Sequence, residues 1–275
     1  MNRMFLLIST LFGIISLSAP TVLAEKPFIT LSTTTSTQAS GLLDLLLPQF
    51  EKEAGVTVKV IAKGTGAAIR DGMDGNVDLI FVHDKNREEK FIADDFGTKR
   101  YGVMHNDFVI VGPPEDPAKI KGLTDAAKAL SQIAGNGAIF VSRGDESGTH
   151  SKERALWAAS GLEPTSQQWY RAIGQGMGKT LTFSDEKMAY TLTDRGTFIK
   201  YKHGRDLPVD LEILCEKDPI LMNPYGVIPV NPKTHPHVKF DLADQFARWL
   251  VSEKGQTLIR DYRLLGKPLF TPDAK

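Results

Sequence analysis

Apolar positions along this chain change period repeatedly, and the changes mark out its elements. "FITLSTTTST" opens as a short apolar strand and runs straight into a hydroxyl-rich turn. From about Ser40 the period lengthens to that of a helix, with Leu42, Leu43, Leu46, Leu47 and Phe50 on one face. Pro48 is expected to kink it. "GVTVKVIA" alternates as a strand, and "GTGAAIRDGMDG" reads as a turn and a short helix stopped by glycine. "VDLIFVHD" is continuously apolar, the mark of a strand buried on both faces. Strand and helix in alternation predict a parallel sheet with helices on its faces.

The pattern shifts at "YGVMHNDFVIVGPPEDPAKI", a long strand-like run ending in Gly112-Pro113-Pro114 and Asp116-Pro117, the first candidate hinge. A second α/β unit follows, with "GAIFVSR" as a strand and a helix beginning near Ser147. "LCEKDPILMNPYGVIPVNP" is a further extended run crossing back, flanked by proline. "FDLADQFARWLVSEKGQTLIRDY" reads as the last helix, its Leu242, Phe246, Trp249, Leu250 and Ile259 suited to packing on the first unit. The expected architecture is two α/β lobes joined by two crossings, with residues 25–112 and 223–275 in a discontinuous first lobe and 113–222 in the second. Lobes so joined leave a cleft that closes on a ligand by hinge motion.

Residues 1–24 stand apart. A cationic Arg3, an apolar run from Met4 to Leu17 and the closing Val22-Leu23-Ala24 follow the plan of a cleavable secretory signal. The run is shorter than the roughly 20 residues that span a bilayer. Of 33 basic and 33 acidic side chains, Arg3 leaves with the signal, so the exported chain carries a formal charge of −1. Near neutrality without a basic cluster excludes nucleic acid as a partner. The single Cys215 makes no internal disulfide, which is ordinary for a periplasmic chain of this size, and is expected to be a buried hydrophobe.

Candidate chemistry sits in the turns. In open α/β sheets ligands bind beyond the carboxyl ends of strands, and there this chain places Thr33-Thr34-Thr35-Ser36-Thr37, Gly64-Thr65-Gly66 and Arg143 to Thr149. The last of these is the densest, "SRGDESGTH" from Ser142. Each turn joins hydroxyls to the free N–H groups of a helix start, where the macrodipole also favours an anion. Helix capping needs one hydroxyl, whereas six such residues run from Ser32 to Thr37. Converged on one cleft, the turns would make a donor-rich cage with Arg143 as its formal charge, free for an anion or braced by Asp145.

Enzyme readings fit less well. A nucleophile elbow fails because Glu146, not serine, stands two residues after Gly144. Ser147 and His150 on one helix lack a third partner for hydrolysis. "GQGMGKT" lacks the first glycine of a phosphate loop, position 173 being Ile, and follows a helix-like segment. His235 and His237 form a weak metal candidate in a loop. No catalytic residue, metal cation or cofactor is expected.

Several blocks together resemble the periplasmic tungstate-binding proteins that feed ABC transporters: "TTTSTQASGLLDLLLPQFEKEAG", "VMHNDFVIVGPPEDPA", "SRGDESGTH", "WYRAIGQGMGKTL", "MAYTLTDRGTF" and "NPYGVIPVNP", in that order and over most of the exported chain. The resemblance implies a two-lobed, type II-like periplasmic binding fold, with sheets flanked by helices. It also implies capture of tungstate, possible capture of molybdate, and delivery by a monomer to an inner-membrane permease. It carries ligand contacts to Thr34, Arg143 and Thr149, and then to Thr35, Ser36, Thr65, Ser147 and Gly148. His105 departs from the family's aromatic position, with consequences expected for packing alone. A phosphate-binding protein is the near rival, because Asp145 beside the ligand would accept the proton of hydrogen phosphate. A serine hydrolase using Ser147 is the remote one.

Overall fold

Three strands carry the start of the molecule: β1 (Phe28–Thr34) pairs in parallel with both β2 (Thr57–Lys63) and β3 (Leu79–Val82). These come from a computed structural model describing residues 26–274, so the expected signal at 1–24 lies outside the described residues. Between the strands lie α1 (Thr35–Ser40), α2 (Leu42–Ala54) and α3 (Thr65–Met73). Gly41, left-handed at φ 85°, separates the first two. Leu42, Leu43, Leu46 and Phe50 of α2 are fully buried, as their spacing predicts, and Pro48 lies within the helix.

After α4 (Lys85–Ala93) comes the long strand β4 (Tyr101–Gly112). The following elements are α5 (Ala126–Gly135), β5 (Phe140–Ser142), α6 (Gly148–Ala159), β6 (Tyr170–Ala172), α7 (Met177–Glu186), β7 (Tyr190–Asp194), α8 (Arg195–His203) and β8 (Glu212–Cys215). The chain returns through β9 (Met222–Pro229). The sheet order is β2-β1-β3-β9-β4-β7-β5-β6. β4 joins its two halves, with residues 101–107 pairing antiparallel with β9 and residues 108–111 with β7.

Buried apolar residues divide at the same place. Ile29, Leu31, Leu79, Phe81, Val103 and Met104 pack with Tyr225, Val227, Phe246 and Ile259. Phe108, Ile110, Leu130, Phe140, Trp157, Tyr190 and Cys215 form a separate core. Ile199 of α8 reaches across into the first. The change of core along β4 falls between Met104 and Phe108, before the proline-rich break. Cys215 is buried within the second core, which pushes its thiol up to about 12 and leaves it neutral.

The last predicted helix is two, α9 (Phe240–Leu250) and α10 (Glu253–Asp261). Ser252 explains the break: its hydroxyl donates to the Trp249 carbonyl at 2.7 Å and accepts the Gly255 N–H at 3.3 Å, capping α10. Both helices still pack on the first core, Phe246 meeting Phe50 edge-on with centroids 4.8 Å apart. The C-terminal residues add short strands β10 (Arg263–Leu264), β11 (Lys267–Pro268) and β12 (Thr271–Pro272). His105 Nδ1 lies 2.6 Å from Asp273 Oδ1 here, beside the β12–β4 pairing, so this residue makes a polar contact as well as packing. Among the described residues no helix is long and apolar enough to cross a membrane.

Candidate anion site

The β1–α1, β2–α3 and β5–α6 turns meet, and each is built by its own local chemistry. Thr34 ends β1 and caps α1: its hydroxyl accepts the Thr37 N–H at 3.1 Å and lies 3.0 Å from Ser36 Oγ. Thr65, buried, is the first residue of α3. Ser147 caps α6 by accepting the His150 N–H at 3.2 Å. Between β5 and that cap the chain turns through Gly144 and Glu146, both left-handed at φ 59° and 57°. Space favours glycine at 144 as well, since a Cβ there would lie 3.0 Å from that of Ala172.

Arg143 is held from two sides. Its Nε and Nη2 donate to Asp145 Oδ2 at 3.1 and 2.5 Å, and Nη1 donates to Thr149 Oγ1 at 3.4 Å. Asp145 Oδ1 accepts the Ser147 N–H at 3.2 Å. Both carboxylate oxygens are therefore engaged within the turn. Burial pushes the Asp145 carboxyl up, but the Ser147 hydrogen bond and the Arg143 charge outweigh it and hold it below the usual carboxylate range.

Gly148 is one place where the two halves lie in close contact. A Cβ on it would sit 3.0 Å from Thr65 Oγ1 and 3.2 Å from His83 Cε1. His83 Nε2 in turn lies 3.3 Å from Ser36 Oγ. Through Gly148 and His83 the fold brings together Thr34, Ser36 and Thr65 of the first core with Arg143, Ser147 and Thr149 of the second. The Thr35 side chain is exposed and has no such link.

His83 was not among the residues singled out from sequence, although it stands at the carboxyl end of a strand, where the hydroxyl turns were sought. Burial holds its imidazole below the usual range against the opposing pull of Asp194, Asn223 and Asp84. Asn106, Asn223 and Tyr225, buried behind it, were missed as well. The other candidates are tied up elsewhere. His235 Nε2 and His237 Nε2 each lie 2.8 Å from a backbone carbonyl, of Met73 and Gly75. His150 Nδ1 accepts the Glu146 N–H at 3.1 Å, so that ring nitrogen is not free to act as a base toward Ser147. "GQGMGKT" leads into α7, where Gly178 lies against the Tyr201 ring.

Behind the Arg143 turn, α6 buries Glu153, whose carboxylate accepts the Tyr170 hydroxyl at 2.7 Å. Burial pushes this carboxyl up to about 7, only partly offset by its hydrogen bonds. An acid raised in the folded state favours folding when protonated, so this stabilisation fades as pH rises from about 4.5 through 7. Glu153→Gln should therefore gain on the wild type between pH 5 and pH 8, by up to about 3 kcal/mol. Denaturant melts of both proteins at the two pH values test this; an unchanged difference would refute it.

Hydroxyl-bearing turns and one braced guanidinium brought together on an α/β sheet that changes core along β4 fit a solute-binding protein. The PBP superfamily domain matches residues 20–254. The chain belongs to that superfamily and, within it, to the family of the tungstate-binding proteins. It is 47% identical to the tungstate-binding protein TupA of Peptoclostridium acidaminophilum, over 90% of this chain and 87% of that one. The structure of the tungstate-binding protein TupA from Desulfovibrio alaskensis G20 is 48% identical with a TM-score of 0.83, covering 90% of this chain and all of that one (100%). That of the tungstate ABC transporter from Geobacter sulfurreducens is 51% identical with a TM-score of 0.77, covering 86% and 98%. These relatives are named as binding and transport proteins rather than as enzymes.

Proposed function

We propose that this chain is the binding component of a tungstate ABC transporter, exported by residues 1–24, which captures the oxyanion between two lobes and hands it to a membrane permease. The lobes would be the two cores, moving about β4 and β9. Thr34, Ser36, Thr65, Arg143, Ser147, Gly148 and Thr149 supply the contacts, with Thr35 contributing through its backbone N–H. The observation that carries the reading is Asp145. Its Oδ2 is turned onto the Arg143 guanidinium and its Oδ1 onto the Ser147 amide, an orientation that favours a fully ionised anion over one whose proton Asp145 would have to accept. A cage of donors alone suits a fully ionised dianion.

The magnitudes are adequate. Each hydrogen bond to a charged group is worth about 1.5–3 kcal/mol net. Six or seven give roughly 10–20 kcal/mol before the cost of ordering and closing, which leaves room for submicromolar binding. Molybdate, close to tungstate in size and charge, should bind at the same site.

Thermal unfolding with tungstate, molybdate, sulfate or phosphate at equal concentration tests the reading. A ligand at a hundredfold excess over its Kd stabilises by about 2.7 kcal/mol. The midpoint should rise with tungstate and molybdate and stay put with sulfate and phosphate. A rise with phosphate alone would overturn the assignment.

A further inference from the structure

The hydroxyls of the site continue into a buried file of hydrogen bonds that runs back to the paired strands β4 and β9. Asn106 and Asn223 face each other in that pairing. Asn106 Nδ2 donates to the Tyr225 hydroxyl at 3.4 Å, and Asn223 Nδ2 donates to Asn106 Oδ1 at 2.7 Å. His83 Nδ1 lies 3.0 Å from Asn223 Oδ1, and Ser36 Oγ lies 3.3 Å from His83 Nε2. Asn106, Asn223, Tyr225 and His83 are all buried.

The direction of this file follows from its parts. An amide oxygen only accepts, so His83 Nδ1 carries the hydrogen. With the ring neutral, Nε2 is bare and accepts the Ser36 hydroxyl. That direction draws the Ser36 hydrogen away from the cage and turns a lone pair toward any anion there, which repels it.

The same heavy-atom positions allow the opposite direction, with both amides turned over. Tyr225 O–H then donates to Asn106 Oδ1, Asn106 Nδ2 to Asn223 Oδ1, and Asn223 Nδ2 to His83 Nδ1. The hydrogen on His83 now sits on Nε2 and is donated to Ser36 Oγ. The Ser36 hydrogen is released toward the cage. His83 has lost one hydrogen and gained one, Tyr225 has only rotated its hydroxyl, and no net proton enters. Hydrogen bonds in such a file polarise one another, so it favours running one way or the other throughout.

We propose that His83 is a positioning residue that sets the direction of the Ser36 hydroxyl, and that oxyanion capture selects the direction in which Nε2–H donates to Ser36 and Ser36 donates to the anion. This rests on the oxyanion reading of the site and adds to it a residue outside the hydroxyl turns. It also gives the strands joining the two cores, β4 and β9, a chemical stake in whether the cage is filled.

The test is nitrogen NMR of the histidine rings in protein purified from the periplasm, with and without saturating sodium tungstate. The His83 signal is identified by its absence in His83→Gln. Free protein should show Nδ1 protonated and Nε2 bare, and the complex the reverse. A bare Nε2 in the complex would overturn the proposal. So would a ring protonated on both nitrogens, which means proton uptake in place of exchange. Calorimetry supplies a second readout. Gln offers a donor and an acceptor in either direction and should keep tungstate affinity within about threefold. His83→Phe offers neither and should lose about tenfold or more, one hydrogen bond to a charged group. Equal losses in the two variants would count against positioning. Failure of tungstate to raise the wild-type unfolding midpoint would instead sink the oxyanion reading beneath it.

Discussion

Arg143→Ala should weaken tungstate binding by about a thousandfold or more while leaving the ligand-free protein folded. The guanidinium side chain is only 14% exposed, so its charge acts in a partly screened setting, worth about 4 kcal/mol per unit charge at 4 Å. Its removal has a second effect, because Asp145 loses both of its Arg143 hydrogen bonds and keeps only that from Ser147. An uncompensated carboxylate then faces an incoming dianion, and repulsion adds to the lost attraction. Two controls separate these contributions. Arg143→Lys keeps the charge but cannot bridge Asp145 and Thr149 with one planar fork, and should fall between the wild type and Ala. Asp145→Asn keeps Arg143 and removes the negative charge, costing about tenfold through lost orientation. Calorimetric titration of the three variants, with melting curves to show that each folds, measures all of this. Near-wild-type affinity in Arg143→Ala would remove the guanidinium from the site.

What could be read from sequence, and what could not, divides by the range of the interactions. The elements of the first core were legible because Leu42 to Phe50 and Leu79 to Val82 carry their periods within one segment. The hydroxyl turns were legible because each places its donors beside a strand end. The function of Asp145 was not: as a brace for Arg143 or a proton acceptor it has the same neighbours in sequence, and only the direction of its carboxylate separates the two. Nor was the file behind His83 legible. Asn106 and Asn223 are single polar residues in extended runs, 117 positions apart, and they matter only because β4 and β9 pair in the register that sets them opposite. The undivided C-terminal helix was a different miss. The apolar period continues from α9 into α10, and the break comes from the Ser252 hydroxyl competing for backbone groups that the period takes no account of.

Gly148 lies against Thr65 and His83, and Gly148→Val should abolish tight binding without harming either core. The residue begins α6 with ordinary helical handedness, so a side chain there strains no dihedral. The obstacle is space. Already a Cβ would stand 3.0 Å from Thr65 Oγ1 and 3.2 Å from His83 Cε1, and valine adds two further methyl groups at a stiff branch. Neither neighbour retreats easily: Thr65 opens α3, and His83 is tied to Asn223. The cheaper response is for α6 to stand away from the first core, which holds the halves apart. The donors of one half then no longer reach an anion seated on the other, and loss of even two charge-assisted hydrogen bonds is worth about 3–6 kcal/mol, or upwards of a hundredfold. Gly148→Ala, with one methyl and room to give by a few tenths of an ångström, should be milder. Scattering profiles would show Gly148→Val remaining extended in saturating tungstate while the wild type contracts. Wild-type affinity in Gly148→Val would mean that the two halves need not meet at this residue to hold the anion, and that the close approach at Gly148 is packing alone.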